Sequence, residues 1–199
     1  MARPKIHDRE LRLKLLAAAA ELLASQGAEA FSLRQLASVA GTSTTAVYSL
    51  FGGKPQLLEA VIVQGFADFG AAQASAADGA GPSAVVRLRA LGRAYRRWAL
   101  DHPALFTLMF SGALVAYIQS PEAQASTQQS ILPLVDTIVL GQNSGELRPD
   151  DPETVAMSIW GTVHGLATLE LAGMKCNRPD WDSVHQASLE AGLRAWRAE

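Results

Sequence analysis

The sequence of 199 residues carries 17 Lys and Arg against 19 Asp and Glu, a net charge of -2, and 49% of its residues are hydrophobic. This balance is that of an ordinary soluble protein with enough apolar residues for a substantial core. The single cysteine, Cys176, excludes an internal disulfide and a multi-cysteine zinc site. We interpret it as a structural thiol rather than a reactive one.

The N-terminal residues show no secretory pattern. The apolar run LKLLAAAAELLA is interrupted by Glu21 and is too short to cross a bilayer. Together with the lone cysteine, this predicts a soluble protein of the reducing cytoplasm with no membrane contact.

The charges are distributed unevenly along the chain. Up to Lys54 there are seven Lys and Arg against four Asp and Glu, and beyond it there are ten against fifteen. A basic N-terminal region followed by an acidic remainder of the chain favours a polyanionic partner that contacts one end of the protein.

Helical periodicity recurs throughout, and alternation of the strand type bounded by turn signals is not found. We therefore predict an all-α fold. The segment 71–83, rich in small residues, is the best candidate for a connection, and it could also be partly helical. In chain order, the predicted helices cover residues 8–26, 32–40, 43–51, 54–72, 83–101, 104–110, a helix from 121 that is kinked near Pro133, 152–172, and 181 onward.

Several helix ends are marked by single residues. Gly27 predicts the end of the first helix. Ser32 and Gln35 have the spacing of a capping box, in which the Gln35 side chain reaches back to the start of the second helix. Asp151 and Asp180 are placed to cap the last two helices.

Helices two and three have the dimensions of a helix-turn-helix, with Gly41 at the turn and Ser43 as the next cap. Thr44 and Thr45 are small enough to let a helix enter the major groove, and they offer a hydroxyl and a methyl group to base edges. From spacing alone, a short polar surface helix explains this stretch equally well. Residues suited to phosphate contacts lie nearby, namely Arg34, Tyr48 and Lys54.

The segment SLRQLASVAGTSTTAVYSLFGGKPQLLEAV resembles the DNA-binding region of the TetR family of transcriptional regulators, over about residues 9 to 62. The resemblance implies an N-terminal three-helix DNA-binding domain at 1–53 and a larger helical domain at 54–199. It implies Arg34, Ser43, Thr44, Thr45, Tyr48 and Lys54 as DNA contacts. Two departures stand out: Leu50 where many relatives have histidine, and Gly52-Gly53 where a polar residue and a capping serine are common. The glycine pair suggests a looser connection into helix four.

The segments YRRWALDHPALFTLMF and SIWGTVHGLATLELAG resemble the WHG-type regulatory domain of a TetR subgroup. This resemblance implies an enclosed ligand pocket and dimerisation through the last two helices. A lone histidine beside tryptophan is more often a hydrogen-bonded core residue than a ligand contact, and the aromatic residues could equally fill the core. The candidate ligand-binding residues are Phe106, Met109, Phe110, Tyr117, Trp160 and His164, and an apolar or aromatic effector would suit them.

The C-terminal helices carry features of an association surface. Gly161 and Gly165 lie one turn apart and permit close helix approach. The last helix has a long apolar stripe that a small monomer would struggle to cover, made of Val184, Leu189, Leu193 and Trp196. We expect a homodimer whose two recognition helices read a palindromic operator in double-stranded DNA. Arg3 and Lys5 could form an arm that reaches the DNA backbone or minor groove.

Catalytic motifs are absent from the sequence: it has no G-x-S-x-G, P-loop, G-x-G-x-x-G or H-E-x-x-H. We therefore predict a non-enzyme without cofactor or metal, a DNA-binding regulator that acts as a ligand-released repressor. The alternatives are an all-α ligand-binding or enzymatic module that does not bind DNA, and an activator of the same fold. We interpret the five arginines of the fifth helix as a mostly solvated face: Arg87, Arg89, Arg93, Arg96 and Arg97.

Overall fold

A computed structural model describes residues 5–110, 112, 114, 117–118, 120–175 and 180–198. Cys176 and Arg3 lie outside these residues, as does the side chain of Lys5, so the predictions made for them stay predictions. No described helix combines the length and apolar character that a membrane crossing requires.

The described residues form ten α-helices, and the all-α fold class is confirmed. One isolated β-bridge, between Leu147 and Arg197, also lies in this part of the chain. The helices are α1 (Lys5–Ala30), α2 (Leu33–Ala40), α3 (Thr44–Phe51), α4 (Lys54–Gly79), α5 (Ala84–Asp101), α6 (Pro103–Phe110), α7 (Pro121–Gln129), α8 (Leu132–Ser144), α9 (Pro152–Leu171) and α10 (Trp181–Trp196).

Internal contacts divide the chain into two compact units. Unit 1 consists of Met1–Asp68 and His102–Gln128, and unit 2 of Phe69–Asp101 and Gln129–Glu199. The functional boundary expected after residue 53 stays a prediction, and helix α4 continues from Lys54 to Gly79 without a break.

The core of unit 1 is built from the apolar faces of its helices. Leu15, Leu36 and Val47, from the first three helices, are completely buried, as are Leu57 and Ile62 of α4. The Arg12 guanidinium lies 4.7 Å from the centre of the Phe51 ring, which ties α1 to the end of α3 through a cation–π contact. Helix α3 is thereby fixed from its buried side.

Two local expectations differ from the structure, and one agrees with it. The first helical segment of α1 ends at Gly27 as predicted, because a φ of 79° and ψ of 167° interrupt the helix there, and a second segment continues to Ala30. Ser32 accepts a hydrogen bond from the Gln35 amide as a cap should, but the Gln35 side chain pairs with Gln26 instead of returning to Ser32. Pro133 lies in the first turn of α8, so the chain starts a new helix there, not a kinked continuation.

Unit 2 surrounds α5 with helices that approach it closely. A Cβ atom at Gly92 of α5 would lie 2.8 Å from Leu189 of α10, and one at Gly141 of α8 would lie 2.8 Å from Ala84 of α5. Asp151 and Asp180 cap α9 and α10 as predicted, each accepting from an amide 2.8 Å away.

The N-terminus of α5 is capped from a distant part of the chain. Glu146 accepts from the hydroxyl of Ser83 at 2.6 Å and from the amides of Ala84 and Val85 at 3.0 and 3.3 Å. The Ser83 hydroxyl is the main cause of the lowered pKa of Glu146, and the Ala84 amide adds to it. One carboxylate therefore satisfies two of the backbone donors that a helix start leaves unpaired.

We expect Glu146→Gln to lower the free energy of unfolding by about 1 kcal/mol, because a charged acceptor at a helix N-terminus is replaced by a neutral one. Since the folded-state pKa is lowered, the contribution is present above the unfolded-state pKa and is lost as the pH falls through the folded-state value. Urea denaturation at pH 7 and at pH 3 measures both effects.

Asp136→Asn is the matched control, because Asp136 is an exposed carboxylate on α8. Equal stability of the Glu146→Gln variant and the wild type at pH 7 would show that the cap contributes nothing measurable.

Candidate nucleic-acid interface and ligand site

The turn between α2 and α3 is set by one glycine and one serine. Gly41 has a φ of 67° and ψ of 38°, in the left-handed region that favours glycine, and its amide donates to carbonyls at the end of α2. Two residues later the Ser43 hydroxyl accepts from the Ala46 amide at 3.1 Å, which caps α3. The hydroxyl proton of Ser43 remains able to donate to a partner outside the chain.

Helix α3 has one buried and one exposed side. Val47 is completely buried and Phe51 is 8% exposed. Thr44 and Thr45 are exposed, as is Tyr48 with 55% of its surface accessible. A large aromatic side chain so open to solvent at the outer side of a short helix is suited to contact with another molecule.

The two predicted phosphate-binding cations differ in environment. Arg34 is exposed in the first turn of α2 and has no ion pair or hydrogen bond to the described residues. The Lys54 ammonium donates to the carbonyl of Phe31 at 2.6 Å and more weakly to that of Glu29 at 3.4 Å. It also lies 5.8 Å from the centre of the Phe31 ring. Lys54 therefore ties the start of α4 to the segment before α2, with one of its three N–H groups left for a further acceptor.

The departures from the family pattern lie at the end of α3. Gly52 has a φ of 84°, and its amide donates to the Tyr48 carbonyl at 2.8 Å. The Gly53 carbonyl accepts from Leu57 at 3.0 Å. The glycine pair is thus hydrogen-bonded to the helices on both sides, while Leu50 is only partly exposed.

Four predicted ligand-binding residues lie in unit 1, and two of them belong to one aromatic cluster. The Phe110 ring lies 5.8 Å from Phe66 and 5.0 Å from Phe106, measured between centroids. Met109 packs against Gly65, where a Cβ atom would lie 2.7 Å from its sulfur. Tyr117 lies in a short 3₁₀ segment after α6 and is partly exposed.

The other two predicted ligand-binding residues lie in unit 2 and share a hydrogen-bonding partner. The Tyr95 hydroxyl accepts from the Trp160 indole N–H at 3.2 Å and lies 2.7 Å from His164 Nδ1. A hydroxyl can both accept and donate, so the Tyr95 proton can go to Nδ1 of a neutral His164 that carries its own proton on Nε2. With the other tautomer, Nδ1–H donates to the hydroxyl instead. Burial raises the pKa of Tyr95 and lowers that of His164, so both groups stay uncharged near neutral pH.

Tyr95 was missed as a site residue at the sequence level. Its position on the apolar stripe of α5 marks it as a core residue, and it is 3% exposed. The signal that could have found it is the hydroxyl itself, because a buried phenol needs a hydrogen-bonding partner. The Phe69 ring lies 5.3 Å from the Tyr95 ring and 5.3 Å from the Trp98 ring, measured between centroids.

The sequence suggested that the arginines of α5 form a mostly solvated face, and this interpretation is wrong. Four of them line one groove, and two of these four are paired with carboxylates of α9 and α10. In the described part of the chain, no cluster of three or more His, Cys, Asp or Glu is arranged to hold a metal ion.

A glycine-turned pair of short helices, with the second exposed along its outer side, defines a helix-turn-helix protein of the DNA-binding regulator class. Two family models cover most of the chain. One, described as bacterial regulatory proteins of the tetR family, matches residues 15–61. The other, described as a tetracyclin repressor-like C-terminal domain, matches residues 88–196. The chain therefore belongs to the TetR family of DNA-binding transcriptional regulators.

Individual relatives agree with this assignment. HTH-type transcriptional regulator Rv1816 of Mycobacterium tuberculosis is 26% identical over 148 residues, which span 71% of this chain and 62% of that protein. A solved structure of a protein with unknown function from Rhodococcus sp. RHA1 is 32% identical, with a TM-score of 0.80 over 94% of this chain and 95% of that one. A TetR family regulator from Marinobacter aquaeolei VT8 shares the fold at 21% identity, with a TM-score of 0.82 over 98% and 100% of the two chains.

We expect stability to fall as the pH drops below about 6.5, the ordinary pKa of histidine, and His164→Gln to reduce that loss. A histidine whose folded-state pKa is lowered binds its proton preferentially in the unfolded state, so acid favours unfolding. Urea denaturation at pH 7.5 and at pH 5.5 gives the difference for each variant.

Trp160→Phe serves as control, because it keeps the histidine while it removes the indole donor to Tyr95 and part of the ring. An identical pH dependence in the wild type and the His164→Gln variant would remove His164 as a source of acid sensitivity.

Proposed function

We propose that the protein is a homodimeric repressor that binds a palindromic operator through α3 and is released by a small apolar or aromatic effector. The observation that carries the proposal is the exposed outer side of α3, where Thr44, Thr45 and Tyr48 face solvent while Val47 is buried. A cytoplasmic location follows from action on DNA.

In this proposal the small side chains of α3 read bases and the surrounding groups contact phosphates. Thr44 and Thr45 lie in the first turn of the helix, the part that meets base edges when a recognition helix enters the major groove. Ser43, Arg34 and Tyr48 each retain a donor for phosphate oxygens at the rim. Lys54 contributes its remaining N–H and holds α4 against the carbonyls that precede α2.

The surface proposed for dimerisation is formed by α9 and α10. A Cβ atom at Gly161, Gly165 or Gly192 would meet nothing within 4 Å, so these glycines face open space. Met157 and Leu169 of α9 are 54% and 47% exposed. Small residues beside exposed apolar side chains suit close packing of helices from a second copy. Trp196 takes no part in this proposal, because its ring stacks under Arg148 at 4.5 Å.

Two apolar clusters are candidates for effector contact, one in each unit. The candidate cluster in unit 1 consists of Phe106, Met109 and Phe110, together with Tyr117. In unit 2 it is the pair of Trp160 and His164 with Tyr95, where polar atoms could orient a ligand within an aromatic surrounding.

An effector could release the repressor only by binding one state of the dimer better than the other. The DNA-binding state would hold its recognition helices about 34–36 Å apart, or a longer multiple of the DNA repeat. The effector-bound state would favour another spacing, and the operator would then be lost.

We expect Arg34→Gln to lower the magnitude of the slope of log K against log salt by about one per subunit, because one phosphate contact is lost. Tyr48→Phe should weaken binding roughly tenfold with a smaller change in slope, because it removes one hydrogen bond to a charged group. The operator is first selected from a random duplex library with the wild-type protein, and affinities are then measured by fluorescence anisotropy in a salt series.

Lys54→Gln should change two readouts together, lowering the salt slope and the melting temperature, because Lys54 is proposed to contact phosphate and also binds carbonyls within the chain. Arg148→Gln, an exposed arginine of unit 2, is the control and should leave the salt slope unchanged. A salt-independent affinity of the wild-type protein for duplex DNA would favour a non-DNA-binding module instead.

We expect Gly161→Asp and Gly165→Asp to convert the dimer into folded monomers. Each site has room for a side chain within the chain, so the substitution charges the proposed interface without disturbing the monomer. Sedimentation velocity gives the oligomeric state, and circular dichroism checks that the helices are retained.

Val139→Asp provides the control for this pair, since it places the same charge on a partly exposed residue of α8. Intact dimers in both glycine variants would count against the α9–α10 interface.

A further inference from the structure

A groove on unit 2 has none of the residues assigned to DNA, to the effector or to the dimer surface in its lining. It is formed by α5, α9 and α10 and has a volume of about 760 Å³. Pockets of this size bind small organic molecules. Its apolar wall is formed by Gly92, Leu100, Val163 and Leu189, and four arginines of α5 line it as well.

Two of the arginines are held in place by carboxylates. Arg89 makes a two-pronged ion pair with Glu190, at 2.5 and 2.8 Å. Arg96 makes another with Glu170, with both distances at 2.8 Å, and also pairs with Asp182. These pairs link α5 to α9 and α10, so they hold the groove walls together and neutralise the charge of both arginines.

The other two arginines are exposed and unneutralised. Arg93 and Arg97 make no ion pair or hydrogen bond with the described residues. They are one helical turn apart, and Arg89 and Arg96 lie within four residues of Arg93, so like charges are concentrated on one side of α5. Asp101 is the one acid of the lining that forms no ion pair to the described residues. With Glu170 included, the four arginines are balanced by four carboxylates, so the unpaired positive charge is local to Arg93 and Arg97.

A buried polar atom completes the lining. His185 is 9% exposed, and its Nε2 has no hydrogen-bonding partner among the described residues, although it lies 3.1 Å from a Glu170 oxygen. Burial, followed by the charge of Arg96, lowers the pKa of His185. The histidine therefore adds a polar but uncharged group to the groove wall near neutral pH.

We propose that this groove binds an anionic amphiphile, a molecule with one carboxylate or phosphate group on an apolar body. The guanidinium groups of Arg93 and Arg97 hold the oxyanion, since planar guanidinium forks match two oxygens of such a group. The apolar body lies along Leu100, which is 39% exposed, and contacts the edges of Val163 and Leu189, so most of the newly covered apolar surface belongs to Leu100.

The lining of this groove contains none of the residues proposed to bind DNA and none of the residues of the apolar clusters proposed for the effector. Both carboxylates and phosphate monoesters have the required chemistry, and the choice between them belongs to the test. Decanoate and decyl phosphate are the probes, with decanol as the uncharged analogue and inorganic phosphate as the head group without a chain.

Isothermal titration of the full chain, below the micellar concentration of each probe, tests the proposal. We expect decanoate, decyl phosphate or both to bind the wild type, and the double variant Arg93→Gln/Arg97→Gln to bind at least tenfold more weakly. Leu100→Asp should also weaken binding, because it places a negative charge on the partly exposed apolar wall. Arg87→Gln, on the same helix but outside the groove lining, should bind like the wild type.

Several outcomes would contradict the proposal. The first is equal affinity of the double variant and the wild type for the anionic probes. The others are binding of decanol as tightly as decanoate, and binding of inorganic phosphate as tightly as decyl phosphate. The absence of binding by both anionic probes would do the same. Sedimentation of the double variant adds a further check, since dissociation to monomers would identify the groove as an interface between copies.

Discussion

The burial of Val47 and Phe51 determines what helix α3 can do. These two apolar side chains lie four residues apart, so they fix the rotation of a helix only eight residues long. Once they are buried, Thr45 and Tyr48 must face outward, while Thr44 is exposed because it lies in the first turn of the helix. The cation–π contact of Arg12 on Phe51 and the left-handed Gly41 hold the two ends of this arrangement. A recognition surface thus results from core packing on the opposite side of the same helix.

Polar side chains near helix ends provide a second level of order. Lys54 binds carbonyls before α2, Glu146 binds amides at the start of α5, and Asp151 and Asp180 cap the helices they precede. Helix termini leave backbone groups unpaired, so a charged side chain there both satisfies them and fixes the direction of entry. For Lys54 this means that the same ammonium that could contact phosphate also holds the DNA-binding helices in register with α4.

Features encoded by neighbouring residues could be predicted from the sequence, and features that depend on distant residues could not. Ser43, Asp151 and Asp180 cap the helices that follow them, so their function is readable within four residues. The pairing of Gln35 with Gln26, the cap from Glu146 and the hydroxyl of Tyr95 between two side chains of α9 all join segments far apart in the chain. The arginine stripe of α5 was visible as a spacing, but its partners on α9 and α10 were not.

Gly92 leaves room for the Leu189 side chain beside the groove of unit 2. A single methyl group at this position would lie 2.8 Å from Leu189, closer than carbon atoms approach in folded proteins. The Leu189 methyl groups would then have to move, and Leu189 lines the groove. The smallest residue of α5 therefore acts as a spacer that sets the position of one apolar side chain in the groove wall. In a relative with a larger residue here, the same arginines would lie beside an apolar wall of different shape.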